Sequence, residues 1–192
     1  MSEAVPAARP KSTGEPVPYI ATINGIEPDE TYPVIEGAGE QRYLDGLSLA
    51  LEPGREAGAI YALGYVAEVV LKAAYCRARG VSAATPMRGA TGAIQMAKTD
   101  VARFRNRGYR VSDIRTGHEL EAWFELLSAV RHFKGAPLST AVSVDARAHL
   151  VTLQDNWSVD SRYHSCPAGR PDALAVFEAA DWYWSNRRAL WR

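Results

Sequence analysis

Cysteine is nearly absent from this chain of 192 residues: Cys76 and Cys166 stand alone and far apart. That excludes a disulfide framework and a Cys-x-x-Cys metal pair, and points to a reducing cytoplasm. Net charge is absent too, with 22 basic residues balancing 22 acidic ones. The four histidines, His118, His132, His149 and His164, have no Cys, Asp or Glu at a spacing that would build a metal triad, so no metal and no cofactor are expected. His118 with Glu121 and His149 with Asp145 read as isolated surface pairs. The phosphate-loop, dinucleotide, zinc-protease and nucleophile-elbow motifs are all missing, and the glycine-containing run MRGATGAIQ has the wrong spacing for any of them. The first sixteen residues hold no apolar stretch of the kind that begins a signal peptide.

What is present is one dominant stretch. Between Ala57 and Cys76 only Glu68 and Lys72 carry charge, and Ile60, Leu63, Ala67, Val70, Leu71 and Ala74 recur at helical spacing. A central helix buried on most of its circumference follows. Two mid-helix charges, two glycines and many alanines argue against a membrane span. Glu68 and Lys72 are four residues apart, as are Tyr61 and Tyr65, so polar and aromatic groups share one narrow stripe. That stripe is either an internal ion pair or one wall of a site. Burial of the pair without further partners would cost several kcal/mol, so something must meet it.

The remaining segments arrange themselves around this helix. Residues 1–38 contain six prolines and no helical period, which predicts an extended, partly disordered arm in which PYIATING and TYPVIEG are β-prone. Residues 1–40 carry a net charge of −5, from Arg9 and Lys11 against seven acids, leaving +5 on the rest. The bundle itself spans 39–192. A first helix runs from Gly39 to Pro53-Gly54, and the short break after it makes it a neighbour of the central helix. Further helices are predicted over 94–104, from Thr116 to Gly135, from Ser143 or Asp145 to Asn156, and from Pro171 to the end. Thr116 and Glu119 have the spacing of a capping box. With no sustained strand alternation, the fold class is all-α, an up-and-down bundle of four to six helices.

Two regions could carry chemistry. From Arg77 to Arg110 there are eight basic residues, Arg103, Arg105 and Arg107 among them, and one acid, Asp100. This is either a solvated helix face or a ridge for phosphates. The irregular stretch NWSVDSRYHSCPAGRP gathers Trp157, Asp160, Arg162, Tyr163 and His164 between two helices, where a rigid bundle would hold binding groups. Arg162 could grip a phosphate while His164 moves a proton, the pair that metal-independent cleavage of RNA requires. The alternative is packing: Trp157 and Tyr163 plug the end of the bundle and Arg162 pairs with Glu68 or a helix-terminal Asp.

Gly64, Tyr65, Glu68, Leu71, Lys72 and Ala73, then Gly117, His118 and Leu120, then Arg162 and Tyr163 before the last helix, resemble the HEPN superfamily over residues 40–190. The resemblance implies a small helical bundle, commonly a homodimer, found in prokaryotic toxin–antitoxin, anti-phage or stress systems beside a minimal nucleotidyltransferase. Catalytic members carry an arginine followed four to six residues later by a histidine. Here the positions four to seven residues back are Ile114, Asp113, Ser112 and Val111 for His118, and Asp160, Val159, Ser158 and Trp157 for His164. The family's catalytic pair therefore does not transfer.

The leading expectation is a cytoplasmic binding or regulatory module without the standard nuclease motif, with Glu68, Lys72, His118, Trp157, Tyr163, Arg103, Arg105 and Arg107 as its binding residues. RNA, a second copy and a nucleotidyltransferase-type or other protein are its expected partners. One alternative is a metal-independent endoribonuclease using Arg162 and His164. Another is a structural partner whose acidic arm docks on a different protein.

Overall fold

The computed structural model describes residues 31–159 and 168–191. Helices α1 (Tyr32–Ala50), α2 (Glu56–Arg79), α3 (Ala93–Arg105), α4 (Leu120–Phe133), α5 (Thr140–Asn156) and α6 (Arg170–Trp191) form an all-α bundle. Among the described residues there is no strand; Thr31 and Pro86 form one isolated antiparallel bridge.

The N-terminal boundary differs from the sequence reading. Of TYPVIEG, expected to be β-prone, all but the extended Thr31 is helical, and α1 begins well before Gly39, so residues 32–38 belong to the bundle. Pro33 sits in the first turn, where a missing N–H leaves no bond unmade, and its fixed φ suits the helix. The rest of the expected arm, residues 1–30, lies outside the described residues.

Helix α2 is the centre. Leu63, Val66, Ala67, Leu71, Ala74, Tyr75 and Cys76 are at or near zero exposure, and the helix ends at Gly80, whose φ of 81° is the left-handed conformation a C-terminal glycine adopts readily. By length and composition α2 could cross a membrane, yet 78% of its most apolar window is buried inside the bundle. Its apolar surface is thus already covered.

Small residues let the neighbours approach. A Cβ on Gly39 would meet Val69 at 2.9 Å, and one on Gly46 would meet Leu63 at 2.5 Å. The pairing runs in opposite senses along the two helices, so α1 and α2 form an antiparallel hairpin across the turn 51–55. Helix α6 packs against both: Tyr43 donates to Asp181 at 2.6 Å and stacks on Trp184, while Arg77 lies 4.6 Å from the Trp191 ring centroid. Helix α4 meets α2 through the edge-to-face pair Tyr75 and Trp123. Helix α5 is tied to α6 by the Tyr183 hydroxyl, which donates to the Ala146 carbonyl at 2.8 Å.

Helix boundaries elsewhere shift for local reasons. Helix α5 begins at Thr140, before Ser143, because Ser139 caps it by accepting from the Val142 amide. Helix α4 begins at Leu120 instead of Thr116. Thr116 and Glu119 do interact, but not as a capping box: the Glu119 carboxylate accepts from the amides of Arg115, Thr116 and Gly117 and from the Thr116 hydroxyl. It organises the loop that precedes the helix.

Candidate functional site

The polar stripe of α2 is met from across the bundle. Lys72 Nζ donates to Glu68 Oε1 at 2.6 Å, and His118 Nδ1 lies 2.9 Å from Glu68 Oε2. Glu68 is 4% exposed and Lys72 7%, so each oxygen of a nearly buried carboxylate is taken by a different cation or proton donor. Lys72 also sits 5.7 Å from the Trp123 ring centroid, a cation–π distance. The partner that the ion pair demands is therefore the histidine of the loop before α4.

That loop is built to deliver His118. Gly117 has a φ of 95°, a left-handed conformation strained for any residue with a side chain. Its carbonyl accepts from the Trp123 indole at 2.9 Å. Burial works against the charged form of Glu119, but hydrogen bonds from Thr116 and Gly117 prevail and hold its carboxyl down at about 2. The residues flanking His118 are thus pinned by the helix that follows. The expected surface pair of His118 with Glu121 is corrected accordingly: the carboxylate bonded to His118 is Glu68.

Glu68, Lys72 and His118 open into a cavity of about 790 Å³, lined also by Arg42 of α1, Tyr61 and Tyr65 of α2, and Arg88, Gln95 and Lys98 around the start of α3. Four basic side chains face one carboxylate there. Tyr61 donates to the Tyr65 hydroxyl at 3.3 Å, and Lys98 holds the Arg115 carbonyl at 2.9 Å. A second cavity of about 720 Å³ shares His118, Thr116 and Val159 with the first, but its charged lining is Arg105, Arg115, Asp113, Glu119 and Glu121. His118 is the partition between a basic chamber and a weakly acidic one.

The glycine-containing run MRGATG also reaches the basic chamber, through Met87, Arg88 and Gly89. Its helix-starting amides are spent internally, since Ala93 and Ile94 donate to the Pro86 and Met87 carbonyls.

The other anticipated binding residues are dispersed. Arg103 lies 3.8 Å from Asp100 and over the Phe133 ring. Arg105 donates to Asp113 at 2.6 Å and to the Val111 carbonyl, and Arg107 covers Phe133 at 4.5 Å. Asp100, the one acid of the basic segment, is 3% exposed and also receives Arg79 and the Tyr75 hydroxyl. Arg103 and Arg105 thus hold intramolecular acids and Arg107 an aromatic ring, and of the two chambers described Arg105 lines the weakly acidic one. Trp157 is 6% exposed, donates to the Tyr61 carbonyl at 3.3 Å and lies edge-on to Tyr65. His149 stacks on Trp182, so the Asp145 partnership gives way to an aromatic one.

Arg162, Tyr163 and His164 lie outside the described residues, and with them the pairing of Arg162 with Glu68. Among the described residues no group of three or more His, Cys, Asp or Glu could hold a metal ion. Arg42 was missed by sequence reasoning, and Arg88 and Lys98 were read only as members of the basic segment, because nothing in local spacing links α1 and the start of α3 to α2. No family model, no curated protein and no solved structure matches this chain.

Proposed function

We propose that this chain is a HEPN-like binding module of a prokaryotic toxin–antitoxin, defence or stress system. It works in the cytoplasm and takes an anionic ligand, RNA above all, at the basic chamber of Glu68, Lys72 and His118. One observation carries this reading: three ionisable groups, two of them more than nine-tenths buried, form the floor of a cavity lined by four cations and one carboxylate. A buried ion pair is a poor source of stability compared with apolar residues of the same volume. Its value here lies in holding an imidazole at a set position beneath a positive field. The same reading makes a second copy of the chain and a nucleotidyltransferase-type protein its partners.

The test is fluorescence anisotropy with labelled single-stranded RNA, across a salt series. Affinity should fall steeply with ionic strength, because phosphate contacts release counterions, and Arg42→Glu with Lys98→Glu should abolish it. Affinity indifferent to salt and to both reversals would reject the reading.

A second reading has its own support. Val159, three positions before Arg162 in the chain, lines both chambers. On this reading the chain is a metal-independent endoribonuclease in which those two residues act on RNA held by the basic chamber. Cleavage in EDTA by the wild type, lost in Arg162→Ala/His164→Ala at unchanged melting temperature, is the outcome it requires.

A further inference from the structure

Within the proposed function, on which this inference rests, the shape and charge of the chamber select one kind of anion. The floor is closed by buried charge: Glu68 and Lys72 are 4% and 7% exposed, and the Gly117 turn lies against Lys72, whose Nζ is 4.0 Å from where a Cβ on Gly117 would stand. A chamber of about 790 Å³ has the size of a small-molecule site. A phosphodiester inside a continuing strand carries a single charge and must enter and leave, which suits a through-groove. A phosphate monoester ends the chain, carries up to two charges and presents three terminal oxygens, which suits a pit ringed by several cations.

The donors are on hand for it. Glu68 neutralises part of Lys72 and occupies the Nδ1 side of His118, leaving the Nε2 side of a ring 29% exposed and shared by both chambers. Arg42 and Lys98 stand at the wall from α1 and α3, Arg42 in only a loose 3.7 Å contact with Asp45. The neighbouring chamber, with two basic and three acidic side chains, repels the same group. We propose that the basic chamber recognises a phosphate monoester, carried either by the 5′ end of an RNA or by a small phosphorylated molecule, and does not recognise the internal phosphates of a strand.

Isothermal titration of the full chain with four probes tests this: one short RNA with a 5′-phosphate, the same RNA with a 5′-hydroxyl, adenosine 5′-monophosphate, and inorganic phosphate. The phosphorylated end should bind at least about tenfold more tightly than the hydroxyl end, a difference of about 1.4 kcal/mol. Arg42→Gln should reduce that preference and Lys98→Gln erase it, with circular dichroism showing both variants folded. Tight binding of adenosine monophosphate or phosphate with no preference between the RNAs assigns the monoester to a small molecule and upholds the inference. Equal, salt-dependent binding of both RNAs with no response to the small probes overturns it and leaves the RNA-binding reading standing. No binding of any probe overturns both.

Discussion

The indole of Trp157 occupies the space where residue 64 would otherwise carry a side chain: a Cβ on Gly64 would lie 2.1 Å from Trp157 Cδ1 and 2.2 Å from Cγ and Nε1. Glycine is required at this point of α2 because a large ring from the end of α5 lies flat against the helix backbone. The contact seats the indole beside Tyr61 and Tyr65, which line the basic chamber, while the ring itself lines the weakly acidic one.

Gly64→Ala should therefore displace Trp157 and destabilise the fold by about 1–3 kcal/mol, the range for overpacking a filled site. Urea denaturation measures the loss, and a red shift of tryptophan emission should report the exposed ring. A variant as stable as the wild type with unchanged emission would show that the ring does not sit on the helix in solution.

Arg131 should hold the end of α6 in place. It is 9% exposed, and its guanidinium donates to the carbonyls of Ala136, Ala189 and Leu190 at 2.8 to 3.1 Å, which leaves burial to pull its pKa down. Arg131→Met should cost about 1.5–3 kcal/mol, since hydrogen bonds to a charged group are lost. Amide exchange should accelerate most in the last turn of α6. Uniform acceleration throughout the bundle would instead mean that Arg131 supports the whole core and not that one terminus.

Acid should loosen the His118 loop. The Glu119 carboxyl is held at about 2, below the ordinary value of about 4.3. A depressed folded-state value means that its contribution is present above about 4.3 and is lost as pH falls through about 2. Denaturation midpoints of the wild type and Glu119→Gln should thus differ most near neutrality, begin to approach each other below about pH 4 and converge only as pH falls through about 2. A constant difference across that window would place the effect of the substitution elsewhere.

Cys76 should be inert. Its side chain is fully buried in α2 and burial pushes the thiol up to about 12, so the thiolate that alkylating agents require is scarce near neutrality. In a Cys166→Ser background, iodoacetamide labelling followed by mass spectrometry should leave Cys76 unmodified until denaturant is added. Rapid labelling of the native protein would reveal local opening of the central helix.

Much of this architecture is legible along the chain because helices announce themselves locally. The apolar period of residues 57–76, the terminating Gly80 and the four-residue spacing of Glu68 and Lys72 each follow from the geometry of one turn. Where the reading failed, a local cue had competing uses. Pro33 among β-prone neighbours signals an arm as readily as a first helical turn, and α1 uses it as the latter because packing of Gly39 and Gly46 on α2 rewards the helix. Thr116 and Glu119 have capping-box spacing, yet their bonds organise a loop because Gly117 adopts a left-handed turn between them.

The sequence by itself determined the helices, the buried central one and the need of its ion pair for a third partner, since periodicity, chain breakers and the cost of burying charge act over a few residues. Tertiary structure alone decided that the partner is His118, fifty positions from Glu68, that Arg42 and Lys98 face the same cavity, and that Asp100, Asp113 and Phe133 engage the arginines of the basic segment. Those outcomes depend on how helices distant in the chain cross, and no spacing within one helix encodes a crossing.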